Sequence, residues 1–507
     1  MSEWPKIGVA ILLISVMVAA ACAIIYQLLI GSIASLFLGS SVEQFSLTIG
    51  LFLFFMGVGS WLSKFVDRNL LLRFIQVEIG LAIIGGSSVG ILYVLYSSTE
   101  QFRYGMILLI ASIGILIGLE IPLLTRFIRM QGSLKSTLAN VLSMDYCGAL
   151  IAALVFPFLM LPFLGSMKSS LLAGLINWIV AGSVIWFFRK GFLNDNTKKL
   201  SLLWILSGIY LFFLFFYSDR LVEKWEQNFY AGSITFQKQS KYQQITLTQA
   251  GDRFRLYLDG HLQFDSFDEY RYHESLVHPV FSSLKSKSHA LIIGGGDGLT
   301  LREVLKYEEL STIVLVELDS VVVSLAKNNP YMRNLNSQAL SDSRIELIYA
   351  DGLKYLKNSL TRFDIIIFDL PDPREESLSK LYSLEGYRLA EKCLKKNGAI
   401  VTQATSPYFA PTAYWCIGKT IQEAGLQLIS YHVNIPSFGE WGFHIGFKNN
   451  FSVTDIEVPS DLKYLDEEIW NAMRVFPKDM KKRPVKINRL DHPRLAHYYR
   501  QDWNLLF

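Results

Sequence analysis

The run Ala290-Leu-Ile-Ile-Gly294-Gly-Gly-Asp297-Gly298, continued by Ile313-Val-Leu-Val-Glu317, decides the fold of the second half of this chain. The apolar residues form a short buried strand, the glycines a turn, and Leu299 to Leu305 the start of a helix. The next strand ends in Glu317, twenty residues after Asp297. Strand, glycine turn, helix, strand and terminal acid make the nucleoside-binding half of a Rossmann-like, doubly wound sheet: glycine lets backbone approach the ligand, and the carboxylate takes two ribose hydroxyls. A dinucleotide is disfavoured because Asp297 would repel a pyrophosphate held at the loop amides. A phosphate loop is disfavoured too, since its Gly-Lys-Ser/Thr ending is missing. The ligand expected beside Asp297 is uncharged or cationic.

Downstream, Arg344-Ile-Glu-Leu-Ile leads to Asp351-Gly352, and Phe363-Asp-Ile-Ile-Ile-Phe ends at Asp369-Leu-Pro-Asp372-Pro373. Open α/β sheets bind ligands at the carboxyl ends of their strands, so Asp297, Glu317, Asp351, Asp369 and Asp372 are expected to line one crevice suited to a multiply cationic ligand set. The competing expectation for Asp351 and Asp372 is a helix cap or a turn. Upstream, Tyr242 to Thr248 and Phe254 to Gly260 alternate as half-buried strands, with turns at Ala250–Asp252 and Asp259–Gly260 and a helix from about Glu269 to Ser283.

Before about Ser218 the chain changes character. Seven runs are long enough to cross a hydrocarbon core of about 30 Å, which needs ~20 apolar helical residues. They are Ile7–Ile30, Gln44–Val66, Leu71–Leu95, Tyr104–Phe127, Val141–Leu164, Ser169–Phe188 and Leu200–Tyr217. A cleaved signal peptide is a poorer reading of the first, because six more follow it. Glu78, Glu120 and Asp145 fall inside these runs and are expected to face the bundle interior, where they join helices by hydrogen bonds or line a polar pathway.

The expected organisation is a multi-pass helical bundle over 1–218, a linker and small β subdomain over 219–285, the nucleoside-binding domain over 286–450 and a tail over 451–507. Basic residues gather at Lys6, at Lys64, Arg68 and Arg73, at Arg126, Arg129 and Lys135, and at Arg189, Lys190, Lys198 and Lys199. By the positive-inside rule these mark the cytosolic side, and seven crossings would then export the C-terminal domain. A cytosolic nucleoside requires the reverse, which an incomplete span, or an eighth in Gly31–Phe45, would provide. The catalytic domain is expected in the cytosol.

Of the 507 residues 51% are apolar, and that share is concentrated in the first half. A net charge of +4 without a long basic stripe gives no reason to expect nucleic acid. Cys22, Cys147, Cys393 and Cys416 have neither the spacing of a zinc site nor that of a disulfide framework, so no metal is expected.

The ordered set Tyr242-Gln243, Leu258-Asp-Gly-His-Leu-Gln263, Asp268-Glu-Tyr-Arg-Tyr272-His273-Glu274, His278-Pro279, Gly294 to Gly298, Glu317, Asp351-Gly352 and Asp369-x-x-Asp372-Pro373 resembles the polyamine aminopropyltransferases of the spermidine synthase type. The likeness covers about 210 residues, from roughly Ser240 to Lys448. The preceding helices, and the tail with Asn488-Arg-Leu-Asp-His-Pro493, are similar to the membrane-bound bacterial branch. The resemblance implies transfer of an aminopropyl group from decarboxylated S-adenosylmethionine, a co-substrate rather than a cofactor, to putrescine or another polyamine, giving spermidine and methylthioadenosine. It implies that Glu317 holds the ribose, Asp351 with Gly352 the adenine end, Gln243 the nucleoside, and Asp297 the aminopropyl ammonium. Tyr272, His273 and Asp372 would position the acceptor amine, and Asp369 would take its proton. A lipid bilayer and a homo-oligomer complete the implied partners.

The chemistry suits these residues without the family. A sulfonium is already a good leaving group, so the reaction needs alignment and a neutral amine. Alkyl amines are mostly protonated at pH 7, and a carboxylate base must collect the proton. Three departures touch the acceptor side: Leu370-Pro371 replaces two serines of the family pattern, Gln244 stands where an acid is common, and Phe438 where a tyrosine is. Two rival functions are a methyltransferase using intact S-adenosylmethionine, whose extra carboxylate Asp297 would repel, and a polyamine transporter or sensor without turnover.

Overall fold

The computed structural model describes residues 6–38, 41–98, 101–129, 134–188, 195–227, 229–285, 287–449 and 457–504. It divides into two compact units, Met1–Ala231 and Gly232–Phe507.

The first unit is helical: α1 Lys6–Leu38, α2 Ser41–Leu62, α3 Leu70–Gly86, α4 Ser88–Ser98, α5 Phe102–Arg129, α6 Leu134–Val155, α7 Leu161–Phe188 and α8 Asp195–Gln227. Each of the seven apolar runs is helical, the third being bent between α3 and α4. Among the described residues five helices are long and apolar enough to cross a membrane, or six with that bent pair. One of the five is the 54-residue stretch Lys135–Phe188, which Gly165 interrupts with φ 71° and ψ 176°, a backbone open to glycine alone. No additional span forms in Gly31–Phe45, because residues 31–38 prolong α1 and 41–45 begin α2. The boundary also moves: α8 continues past Tyr217 to Gln227, so the division falls at Ala231 rather than at 218. Arg189 and Lys190 lie outside the described residues.

Small residues let these helices approach. A Cβ on Gly118 would run into the Met56 carbonyl, and one on Gly59 into that of Ile115, so α2 and α5 touch backbone to backbone. Between α7 and α8 the indoles of Trp178 and Trp204 stack 4.4 Å apart, and each N–H donates to the other residue's carbonyl. The outward faces carry exposed Leu108, Phe158, Phe163 and Phe216.

The second unit holds two sheets. The smaller is antiparallel, in the order β1 Ser233–Gln239, β2 Gln244–Ala250, β3 Arg253–Leu258, β4 His261–Asp265. Its last turn has positive φ at Asp259 and Gly260, the two-residue hairpin that Asp-Gly favours. The larger sheet contains β5 His289–Gly294, β6 Thr312–Glu317, β7 Ile345–Tyr349, β8 Phe363–Asp369, β9 Leu394–Gln403, β10 Gln427–Ile435 and β11 Gly439–Phe447, in the order β10-β11-β9-β8-β5-β6-β7. Strands β5 to β9 run parallel and β11 antiparallel to β9. From β5 the chain proceeds outward to β6 and β7, then returns to the other side of β5 as β8. That reversal is the topological switch point, where such sheets bind ligands. Strand β5 is buried from Ala290 to Ile293 and β8 from Phe363 to Phe368, apolar between the layers except for Asp364, which pairs with Lys395. Helices α9 Glu269–Ser282, α10 Leu299–Val304 and α11 Ser320–Asn328 surround the carboxyl edge.

Candidate active site

At the switch point Gly294 and Asp369 are register partners on β5 and β8. Gly294 and Gly295 have φ of 86° and 67°, and the Gly295 amide donates to the Asp369 carbonyl at 3.0 Å. A side chain at Gly294 would collide with that carbonyl, and one at Gly295 would press on the Asp369 carboxylate. The glycines are needed because the end of β8 crosses directly against them.

Asp369 is half-buried and receives two hydroxyls. Tyr272 on α9 donates to Oδ1 at 2.8 Å, and Thr300 on α10 donates to Oδ2 at 2.6 Å. Burial, with Asp369 alongside, raises the Tyr272 phenol well above its usual range, so it stays a donor. Asp297 caps the loop by accepting from the Leu299 amide at 2.9 Å. Burial, opposed by His273 and reinforced by Asp369, lifts its carboxyl to about 6. His273 has Nδ1 committed to the Glu269 carboxylate at 2.7 Å, and Glu269 is in turn held by Arg302. Burial alone would lower the imidazole, but Glu269, Asp297 and Asp369 outweigh it and hold it above its usual value. His273 therefore balances acidic charge in the cleft.

The nucleoside side is built on β6. Oε2 of Glu317 accepts from the Gly296 amide at 3.1 Å and Oε1 from the Asp319 amide at 2.9 Å, which leaves each oxygen a lone pair for a hydroxyl. Burial raises Glu317 to about 7 against the pull of these amides. A Cβ on Gly296 would strike the Glu317 carboxylate, so the third glycine leaves room for that side chain. Gln243 is steered there by Asp319, whose Oδ2 accepts from its Nε2 at 3.1 Å and from Ser240 at 2.6 Å.

Asp351 fulfils the competing expectation: it caps the helix Gly352–Asn358 through the Lys354 amide and pairs with Lys380. Although burial raises its carboxyl, these partners hold it below the usual range. Gly352 sits so tightly on Ile293 that a side chain would clash.

Asp372 is buried, accepts from the Tyr499 hydroxyl at 2.9 Å through Oδ2, and leaves Oδ1 without a partner. Burial pushes it up to about 6 against the hydroxyl's pull. The loop that carries it is pinned by Gln403, whose Nε2 donates to the Leu370 carbonyl and to Tyr382, while Tyr382 donates to the Pro371 carbonyl. Leu370-Pro371 is thus held through its backbone carbonyls, contacts that do not depend on the side chains at these two positions. Phe438 packs against Trp441, with tilted rings whose centroids lie 5.0 Å apart.

Thr300, Asp319, Gln403 and Tyr499 escaped the sequence reading. Thr300 follows Asp297 by three residues, in the first turn of α10, and that spacing was a usable signal. Tyr499 had none, being 127 residues from Asp372. It arrives on the helix Arg494–Asn504, which docks through Asp502 onto the amides of Thr412 and Ala413. Glu274 holds the segment before it by accepting from the amides of Lys463, Tyr464 and Leu465. The tail is thus part of the site. Tyr499→Phe is expected to raise the KM for acceptor amine about tenfold, by loss of one hydrogen bond to a carboxylate, and to leave nucleoside affinity unchanged. Asp372 would lose a donor that favours its ionised form, so the acid limb of the kcat/KM profile should move to higher pH. An unmoved limb would separate Tyr499 from the acceptor site.

A mainly parallel sheet with acids gathered at its switch point and a carboxylate at the end of the second strand has the form of a nucleoside-dependent transferase. Comparison with known proteins agrees. Residues 269–456 match the spermine/spermidine synthase domain. A polyamine aminopropyltransferase of Leptospira interrogans is 40% identical over 97% of this chain and 98% of its own length. Polyamine aminopropyltransferase 2 of Ralstonia nicotianae is 39% identical over 98% of this chain and 99% of its own, and the Mycobacterium tuberculosis enzyme 36% identical over 98% and 97%. The spermidine synthase structure from Thermotoga maritima is 27% identical, covering 49% of this chain and 86% of that one with a TM-score of 0.45. The chain belongs to the polyamine aminopropyltransferase family.

Proposed function

We propose that this enzyme moves the aminopropyl group of decarboxylated S-adenosylmethionine to putrescine, with Asp369 as the base. Aminopropyl transfer itself follows from the family, and the methyltransferase and non-turnover readings give way to it. The observation that supports the base is the Asp369 carboxylate at the switch point, oriented by Tyr272 and Thr300 against the glycine loop. The acceptor nitrogen attacks the aminopropyl carbon bonded to sulfonium, the C–S electron pair passes to sulfur, and the proton lost from nitrogen goes to Asp369. Glu317 binds the ribose hydroxyls, Gln243 and Asp351 with Gly352 the rest of the nucleoside, and Asp297 the aminopropyl ammonium. Tyr272 and the open Oδ1 of Asp372 hold the acceptor, and His273 offsets the cleft's negative charge. The test is turnover by the full-length protein with a panel of diamines, read as methylthioadenosine release. Putrescine should have the highest kcat/KM, and a longer amine preferred over it would reassign the acceptor.

The helical unit is proposed to cross the bilayer, with the catalytic unit on the cytosolic side, where its nucleoside substrate is made. Exposed apolar faces and backbone-close helix contacts support insertion. Gly165, dividing a helical stretch whose 54 residues would extend about 80 Å, supports two crossings there. A reporter fused after Phe507 should be active only when it requires the cytosol. Activity confined to the opposite side would overturn this orientation and favour the basic-residue count.

A further inference from the structure

The chain leaves β9 through Ala404 and Thr405, and Thr405 has φ 59°, in the left-handed region that glycine normally fills. A β-branched residue is an outlier there and persists only where its surroundings impose it. Here the backbone is held on both sides. The Thr405 amide donates to Oε1 of Gln403 at 2.9 Å, and the Thr405 carbonyl accepts from the Gly442 amide on β11 at 2.7 Å. The Ala404 amide donates to the Gly442 carbonyl at 2.8 Å, and a side chain at Gly442 would strike the Tyr414 ring and crowd the Thr405 carbonyl. Through Nε2 the same Gln403 donates to the Leu370 carbonyl at 2.8 Å, so one side chain ties the turn at Thr405 to the loop from Asp369 to Asp372. Thr405 is fully buried, and its hydroxyl lies beside the Asp372 carboxyl. In the free enzyme Oγ1 and Oδ1 stop short of a closed hydrogen bond, a common state of site hydrogen bonds that tighten once substrate arrives.

We propose that Thr405 is a positioning residue for the acceptor amine: its strained turn carries the hydroxyl to Asp372 and holds that carboxylate in the orientation the amine meets. The inference rests on the reading of Asp372 as an acceptor ligand. Glycine would make the turn without strain, so what threonine adds is a side chain, and a buried carboxylate calls for donors. The groups around Asp372 are Tyr499 from the C-terminal helix with Arg374 against it, Tyr382 from the segment after β8, Asp369 at the other end of the loop, and Gln403 and Thr405 at the end of β9. Arg374 engages Tyr499, and Asp372 itself receives the hydroxyls of Tyr499 and Thr405 and the amide of Gln403, all of which favour its ionised form.

Thr405→Val keeps the size and the β-branch and removes only the hydroxyl. In the full-length protein, read as methylthioadenosine release, it should raise the KM for putrescine about tenfold, the loss of one hydrogen bond to a charged group, with methylthioadenosine affinity nearly unchanged. Without that donor protonated Asp372 is favoured, so the acid limb of kcat/KM for putrescine should move to higher pH. Thr405→Ser retains the hydroxyl and should match the unaltered enzyme. Thr405→Gly relaxes the turn but also lacks the hydroxyl, and should share the valine defect. Recovery in the glycine variant, or a loss that falls equally on both substrates, would overturn the proposal. Asp372→Asn separates the two readings. If it raises the putrescine KM while Thr405→Val leaves KM and acid limb in place, the role of Thr405 fails alone; if Asp372→Asn leaves that KM unchanged, the acceptor reading of Asp372 and the role of Thr405 fail together.

Discussion

Replacing Asp369 by asparagine is expected to lower turnover by about 10²–10⁴, the usual contribution of a positioned general base, with nucleoside affinity nearly unchanged. Asparagine keeps the size of the side chain and loses the ability to accept a proton. The fold should tolerate it, because Thr300 meets Oδ2 with a hydroxyl that can accept an amide N–H as readily as it now donates. Tyr272 can go on donating to the remaining carbonyl oxygen. The deficit should shrink as pH rises, since more acceptor amine then arrives already neutral. Methylthioadenosine release at saturating concentrations of both substrates, measured from pH 7 to 10, reads both effects. Full activity of the asparagine variant would remove Asp369 from the proton transfer and leave Asp372 as the next carboxylate in line. A loss that is equal at every pH and accompanied by lower thermal stability would make the role structural.

Glu317→Gln should weaken nucleoside binding by about ten- to a hundredfold, corresponding to roughly 1.5–3 kcal/mol for hydrogen bonds to a charged group. The acceptor should bind as before. Glutamine offers one oxygen to the Gly296 and Asp319 amides and turns an N–H toward the other, so the ribose loses an acceptor and the loop loses a support. The pH dependence carries a separate signature. Burial raises Glu317 to about 7, and ribose hydroxyls favour its ionised form. Binding by the unaltered enzyme should therefore tighten as pH rises from 6 to 8 and weaken as it falls through 7. In the glutamine variant that leg should vanish. Calorimetric titration with methylthioadenosine across this range would show both, and an unchanged profile in the variant would move the ribose elsewhere.

Much of the nucleoside half was legible in the sequence, because its chemistry is local. Ala290 to Gly298 and Ile313 to Glu317 specify a strand, a turn only glycine can make and an acid at a strand end, and each is fixed by residues within one turn of one another. The apolar runs of the first half were equally plain, since length and composition alone define them, whereas the bend after Gly86 and the end of α8 at Gln227 depended on packing between helices. Tertiary structure decided the acceptor side. That Asp351 pairs with Lys380, that Asp372 is buried under Tyr499, and that Glu274 ties down the tail all follow from chain segments 29 to 191 residues apart in sequence. The sequence determined which carboxylates stand at strand ends. Only the folded chain determined how much water each one keeps and which hydroxyl, amide or ammonium faces it, and those two quantities set whether a carboxylate binds, caps or accepts a proton.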